Sequence, residues 1–146
     1  MRARVECSGT VGTTLAAEEA FRLFTPEGER DWAEGWAPAY PAGGLPSPAP
    51  GLVFTVGREE GTSTWVVTRF EPDERRASYA YVLPGRRAAQ VEVEVEARED
   101  GGSVARVTYR ITSLRPEEDP AVRAFAAAFN DFLAGWEEAI RSSLEP

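Results

Sequence analysis

The sequence predicts an α+β fold: a curved antiparallel sheet of six to seven strands lying against one long C-terminal helix. Two observations carry this. From residue 119 to residue 144, Val122, Phe125, Phe129, Phe132, Leu133, Trp136 and Ile140 recur at spacings of three and four, which puts them on one helical face. From residue 52 to residue 112, apolar alternating segments follow one another across short turns, and short turns join antiparallel strands. A face with three Phe and one Trp needs a broad partner, and only the preceding strands can supply it. No repeat or second core divides the 146 residues, so one domain over residues 1–146 is expected.

The elements follow in order. Residues 2–14, with Val5, Cys7 and Val11, read as a first strand, and Gly9 and Gly12 hint at a bend or bulge. Residues 15–24 read as a short helix with Ala20, Phe21 and Phe24 inward. A second short helix follows, with Thr25 as cap and Pro26 as its first residue; Glu27 and Glu29 suit the positive N-terminus, and it ends by Gly35. Residues 37–51 hold Pro38, Pro41, Pro46, Pro48 and Pro50, so neither helix nor central strand persists there. They form either a lid over a pocket mouth or a stiff surface loop, with a short edge strand near residues 36–40.

Strands are expected over 52–57, 62–70, 77–83, 87–97 and 104–112. In the fourth of these, Val91, Val93 and Val95 alternate with Glu92, Glu94 and Glu96, so one face is buried and the other wet. The next strand buries Val107, Tyr109 and Ile111 and exposes Arg106 and Arg110, which places arginines opposite the glutamates as surface charge matching. Asp119 is expected to cap the final helix, with Pro120 at its first position.

Composition excludes several chemistries. The chain has no His and no Lys, so a Ser–His hydrolase, a Cys–His protease and a Schiff-base lysine are ruled out. One Cys and no His leave no usual zinc ligand set, and no phosphate-cradling glycine loop with a lysine appears; no metal, nucleotide or other cofactor is expected. A net charge of −8 argues against nucleic acid and anionic membrane as main partners. No apolar run approaches the ~20 residues of a membrane span. With no apolar signal core at the N-terminus and a single cysteine, a cytoplasmic location is the expectation.

The order strand, two short helices, run of strands, long helix resembles the START-like superfamily, also called SRPBCC or helix-grip, of polyketide cyclase and birch-pollen-allergen type. The resemblance is sharpest from Leu23-Phe24-Thr25-Pro26-Glu27-Gly28-Glu29-Arg30-Asp31-Trp32 through Glu34-Gly35-Trp36, a stretch similar to one in small bacterial members of unassigned function. Thr108-Tyr109-Arg110-Ile111-Thr112-Ser113-Leu114 and Trp136-Glu137-Glu138-Ala139-Ile140 look similar too. The resemblance implies a sheet gripping the last helix, with a cavity between them for an apolar or amphipathic small molecule.

Candidate ligand-binding residues are Trp36, Trp65, Tyr79, Tyr81 and Tyr109 on strands or at the lid, and Phe125 and Phe129 on the first half of the helix. Small residues beside those two phenylalanines, Ala126 nearest the apolar face, either leave space for the cavity or serve simply as strong helix formers. Trp136 and Ile140 are expected to pack tightly at the other end. Tyrosine hydroxyls in a cavity would fix a ligand carbonyl or phenol. Arg69 shares the Trp65 face by spacing and is expected to be exposed. Arg30 is expected to clamp a neighbouring carboxylate and brace the second helix. Three functions fit: a carrier or sensor of a small apolar molecule, a cyclase- or dehydratase-like enzyme using Tyr and carboxylate for proton work, or a co-chaperone-like protein-binding module. Lack of His weakens the second, and lack of a long exposed apolar or charged stretch weakens the third.

Overall fold

The computed structural model describes residues 1–43 and 47–146. Its centre is a six-stranded antiparallel sheet in the order β1-β6-β5-β4-β3-β2. β1 is Arg4–Thr13, β2 Val53–Arg58, β3 Gly61–Glu71, β4 Arg76–Leu83, β5 Arg87–Ala97 and β6 Ser103–Ser113. Hairpins join β2 through β6 into a meander. β1 then pairs along the free side of β6, from Arg4 opposite Thr112 to Thr13 opposite Ser103. The valine–glutamate alternation of β5 holds: Val91, Val93 and Val95 are buried, and the outer face carries ion pairs such as Arg76–Glu94 at 3.3 Å and Arg110–Glu6 at 2.6 Å, with Arg110 also held by Glu92.

Period-two spacing fails once. The register of β3 on β4 shifts between Val67 and Arg69. One extra residue there hands the inner face to Phe70, whose ring lies 5.6 Å from Phe21. Arg69 therefore leaves the Trp65 face and is exposed, paired with Glu71 at 3.7 Å.

Between β1 and β2 the first helix, α1, covers Ala17–Arg22. The expected second helix is a single 3-10 turn, Gly28–Asp31. Its N-cap position falls to Glu27, which makes no side-chain cap, rather than to Thr25; Thr25 steadies the turn from two residues earlier, its hydroxyl accepting the Gly28 amide at 3.0 Å while donating to the Arg22 carbonyl. Ala39 then makes an isolated bridge with Thr55, the trace of the expected edge strand.

The C-terminal helix is not continuous. α2 spans Asp119–Ala127 and α3 spans Phe129–Ser143, with Ala128 between them at φ −103 and ψ 12. Asp119 does not cap it. Its carboxylate instead accepts the Ala3 amide at 3.0 Å, tying the start of α2 to β1. α1 packs on β5 and β6, and α2 and α3 pack chiefly on β1. The contact with β1 is close because it falls on Gly9: a Cβ there would stand 2.7 Å from Leu133 Cδ1. Gly12 donates its amide to Glu137 Oε1 at 2.6 Å one turn further on.

Candidate functional site

Helical cover over β1, β5 and β6 leaves the inner face of β2–β4 to be faced by side chains alone. β2 presents Phe54 and Val56, β3 Ser63 and Trp65, β4 Tyr79 and Tyr81. Opposite them stand Trp32, Ala33 and Trp36, which follow the 3-10 turn, and Phe132, Gly135, Trp136 and Ala139 of α3. Flat stiff rings, some stacked and some edge to face, do not fill the interior. A cavity of about 470 Å³ remains, within the range of small-molecule sites. All four tryptophans of the chain line it.

The rings form two connected groups. Trp65 stacks on Tyr81 at 4.5 Å and on Phe54 at 5.6 Å, and meets the edge of Trp36 at 5.4 Å. Trp32 meets Trp136 at 5.2 Å, and Trp136 meets Phe132 at 5.1 Å. Tyr109 lies against Phe125 at 5.3 Å and Phe132 at 5.8 Å.

Most polar handles on these rings are already engaged. Trp36 Nε1 donates to the Pro26 carbonyl at 2.8 Å, Trp32 Nε1 to the Leu23 carbonyl at 2.7 Å and Trp65 Nε1 to Ser63 Oγ at 2.8 Å. Tyr79 donates to the Phe24 carbonyl at 2.8 Å, and Tyr81 accepts Arg87 Nε at 3.1 Å. The Tyr79 hydroxyl, expected to be available for a ligand, is thus spent on the fold, whereas Tyr81 only accepts and keeps its O–H donor without a partner among the described residues. Tyr109 is different: among the described residues nothing hydrogen-bonds its hydroxyl, and burial raises its pKa well above the ordinary value.

Glu29 is another unengaged group. It sits on the 3-10 turn, its accessible surface faces the cavity, and no hydrogen bond holds its carboxyl among the described residues. Burial pushes its pKa up to about 8, against the opposing pull of Arg58. The sequence places Glu29 at the positive N-terminus of the second short helix, a position that says nothing of a cavity. Its spacing of three and four residues from Trp32 and Ala33 was the signal that it shares their side.

Charged residues ring the mouth, where Glu34, Arg58 and Glu60 become exposed. Arg58 donates to the Glu34 carbonyl at 3.2 Å. Arg87 grips Glu60 at 2.6 Å and Glu118 at 2.6 Å, and Arg86 adds a 3.0 Å contact to Glu118. Glu118 is only 1% exposed. Burial alone would raise its pKa, but the two arginines outweigh burial and hold it below the ordinary range.

Six of the seven candidate residues, Trp36, Trp65, Tyr79, Tyr81, Tyr109 and Phe125, line the cavity. Phe129 does not. It is 4% exposed and packs on β1 over Gly9, so its expected place beside the cavity is corrected. Trp136, expected in a tight-packed end, is instead part of the cavity wall. The helix is divided around its axis rather than along its length: Phe129, Leu133 and Ile140 are buried, whereas Phe132, Trp136 and Ala139 face the cavity. Ala126 also lies off the cavity, and the small wall residues are Ala33, Gly61, Ser63, Gly135 and Ala139.

The lid expectation is corrected in part. No described residue of 37–51 lines the cavity, and residues 44–46 lie outside the described residues. The start of the segment is pinned down. Arg30 binds Glu27 at 2.8 Å and the Pro38 carbonyl at 2.6 Å, and Tyr40 donates to Glu27 at 2.6 Å. Among the described residues no helix is long and apolar enough to cross a membrane, and no acidic, His or Cys cluster is arranged to hold a metal.

No protein-family model matches the sequence, and no curated protein matches it at a significant level. Solved structures do match. Norcoclaurine synthase from Thalictrum flavum, in complex with dopamine and hydroxybenzaldehyde, is 8% identical at a TM-score of 0.67, over 99% of this chain and 91% of that one. Ara h 8.0201 is 12% identical at 0.65, over 96% and 99% of the two chains. A protein from Thermobifida fusca is 18% identical at 0.66, over 86% and 83%. At such identities the likeness is one of fold. Together with the six-stranded antiparallel sheet, the short helices after β1 and the C-terminal helical segment, it establishes that this chain has the helix-grip fold.

Proposed function

We propose that this protein binds a small, mainly aromatic molecule in the cavity, as a carrier or sensor. One observation carries the reading: a space of about 470 Å³ walled by aromatic rings, with a few polar groups, Glu29 and Tyr109 among them, that have no hydrogen-bond partner among the described residues. Aromatic walls give apolar area and stacking partners, and one or two polar groups fix orientation. The fold neighbour norcoclaurine synthase in complex with dopamine and hydroxybenzaldehyde supports an aromatic ligand class.

A second reading has its own observation. A carboxyl with a pKa near 8 and no protein partner is suited to proton transfer near neutral pH, so a cyclase- or dehydratase-like reaction on an aromatic substrate is the alternative.

The binding test is a titration with a neutral naphthalene dye. Wild type is expected to bind one equivalent with saturation. Ala139→Trp, which fills the cavity from α3, is expected to weaken binding at least roughly tenfold, the scale of losing one well-buried group, with far-UV circular dichroism unchanged. Absence of saturable binding, or equal binding by the filled variant, would overturn the proposal.

A further inference from the structure

We infer that the cavity takes a cationic aromatic amine, with the ammonium group seated on Glu29. The inference rests on the binding reading above and names the ligand class for that same site.

Three independent features select a cation. The first is the Glu29 carboxyl itself, which reaches the cavity from the 3-10 turn with no hydrogen-bond partner among the described residues. An aromatic wall without such a group would accept any flat molecule. A carboxyl inside one favours a ligand that supplies the missing positive charge, because a charge-assisted hydrogen bond is about twice as strong as a neutral one. The second is the nature of the wall. Trp and Tyr faces carry negative quadrupole density and attract ammonium groups, and Trp32, Trp36, Trp65, Trp136 and Tyr81 all line this space. The third is the net charge of −8, which raises the local concentration of cations over anions.

The competing charge is Arg58. It lines the cavity from the end of β2 and is, among the described residues, the cation that acts on Glu29. Arg58 is exposed at the mouth, however, and its guanidinium donates to the Glu34 carbonyl. Arg87, the other cation of the wall, is held by Glu60 and Glu118. The acids at the mouth, Glu34 and Glu60, add negative potential along the way in. Tyr79 and Tyr109 face Glu29 from β4 and β6, and both stay un-ionised because burial raises their pKa values. Glu29 is therefore the group in this set that titrates near neutrality.

Binding is coupled to a proton. In the empty cavity near pH 7 the Glu29 carboxyl holds its proton, and an incoming ammonium ion favours the carboxylate. The proton leaves to the buffer, the ligand keeps its charge, and the site gains an ion pair. Affinity for the amine is then expected to rise with pH up to about 8 and to level off above it.

The test compares three indoles of one shape by calorimetry: tryptamine, neutral tryptophol and anionic indole-3-propionate. Tryptamine is expected to bind roughly tenfold or more tighter than tryptophol, the worth of one hydrogen bond to a charged group, with the propionate weakest. Titrations at pH 7 in phosphate and in Tris should differ in heat by the release of about one proton per tryptamine bound. In Glu29→Gln the preference for tryptamine over tryptophol and the proton release should both vanish. Equal binding of tryptamine and tryptophol by wild type, or preference for the propionate, would overturn the cation assignment and leave the cavity reading standing. Binding of none of the three would overturn both. Should Glu29→Gln not fold, the wild-type series and its two-buffer comparison still decide.

Discussion

Gly28 and Gly9 are both close approaches, and the atoms they meet set different costs. A Cβ at Gly28 would stand 1.7 Å from the Arg22 carbonyl oxygen, which is backbone and cannot yield without breaking the turn between α1 and the 3-10 turn. A Cβ at Gly9 would meet the end of the Leu133 side chain, which can rotate away. Gly28→Ala is therefore expected to cost roughly 3 kcal/mol, the upper end for forced overlap, and Gly9→Ala less than about 1 kcal/mol. Urea unfolding of both variants measures the difference, and equal midpoints would show that the turn gives way freely. The aromatic candidates on strands were legible because alternation alone puts Trp65, Tyr79, Tyr81 and Tyr109 on inner faces. Glu29 was not. A glutamate on a short helical turn reads as solvated, and only the fold shows that α3 and β4 close over that side of the turn.

α3 is one helix with two environments. Phe129 packs on β1, whereas Phe132, less than one turn away, looks into open space. Removing a ring from a close-packed site costs the transfer energy plus a void, roughly 3–4 kcal/mol for Phe129→Ala. At Phe132 the void already exists, so the loss should approach the transfer term alone, about 2 kcal/mol. Phe132→Ala should change dye affinity and Phe129→Ala should not. The reverse pattern in unfolding and dye titration would refute the division around the axis. Elements of this kind were read well from the sequence: the bounds of β5 match to the residue, and the other expected strands fall within two residues of those found. Two features escaped. Neither proline nor glycine marks the interruption at Ala128, in a run of alanines that favours helix throughout. No turn residue marks the register shift after Val67, which is settled by how Phe70 meets Phe21 across the core.

At the scale of the whole molecule, three buried or half-buried carboxyls set the response to pH. Glu118 is held below its ordinary value of 4.5, and Asp119 below 3.8 by the Ser113 hydroxyl and the Ala3 amide. Each lowered group adds stability that is present above its ordinary value and lost as pH falls through the lower, folded one. Glu29 acts the other way. Between 4.5 and about 8 the folded chain holds a proton that the unfolded chain has released, so stability falls as pH rises through that window. Unfolding midpoints are expected to peak near pH 5, and Glu29→Gln should flatten the decline from pH 5 to pH 8. A decline of the same slope in the variant would remove Glu29 from the account. The four tryptophans around the cavity have a spectroscopic consequence. Every indole fluorophore of the chain borders one space, and they lie in near-contact pairs, Trp32 with Trp136 and Trp36 with Trp65. Excitation absorbed by any of them therefore reaches the same surroundings, with no distant indole to dilute the signal. The ultraviolet emission of the unlabelled protein is a direct readout of whether that space holds water or a guest.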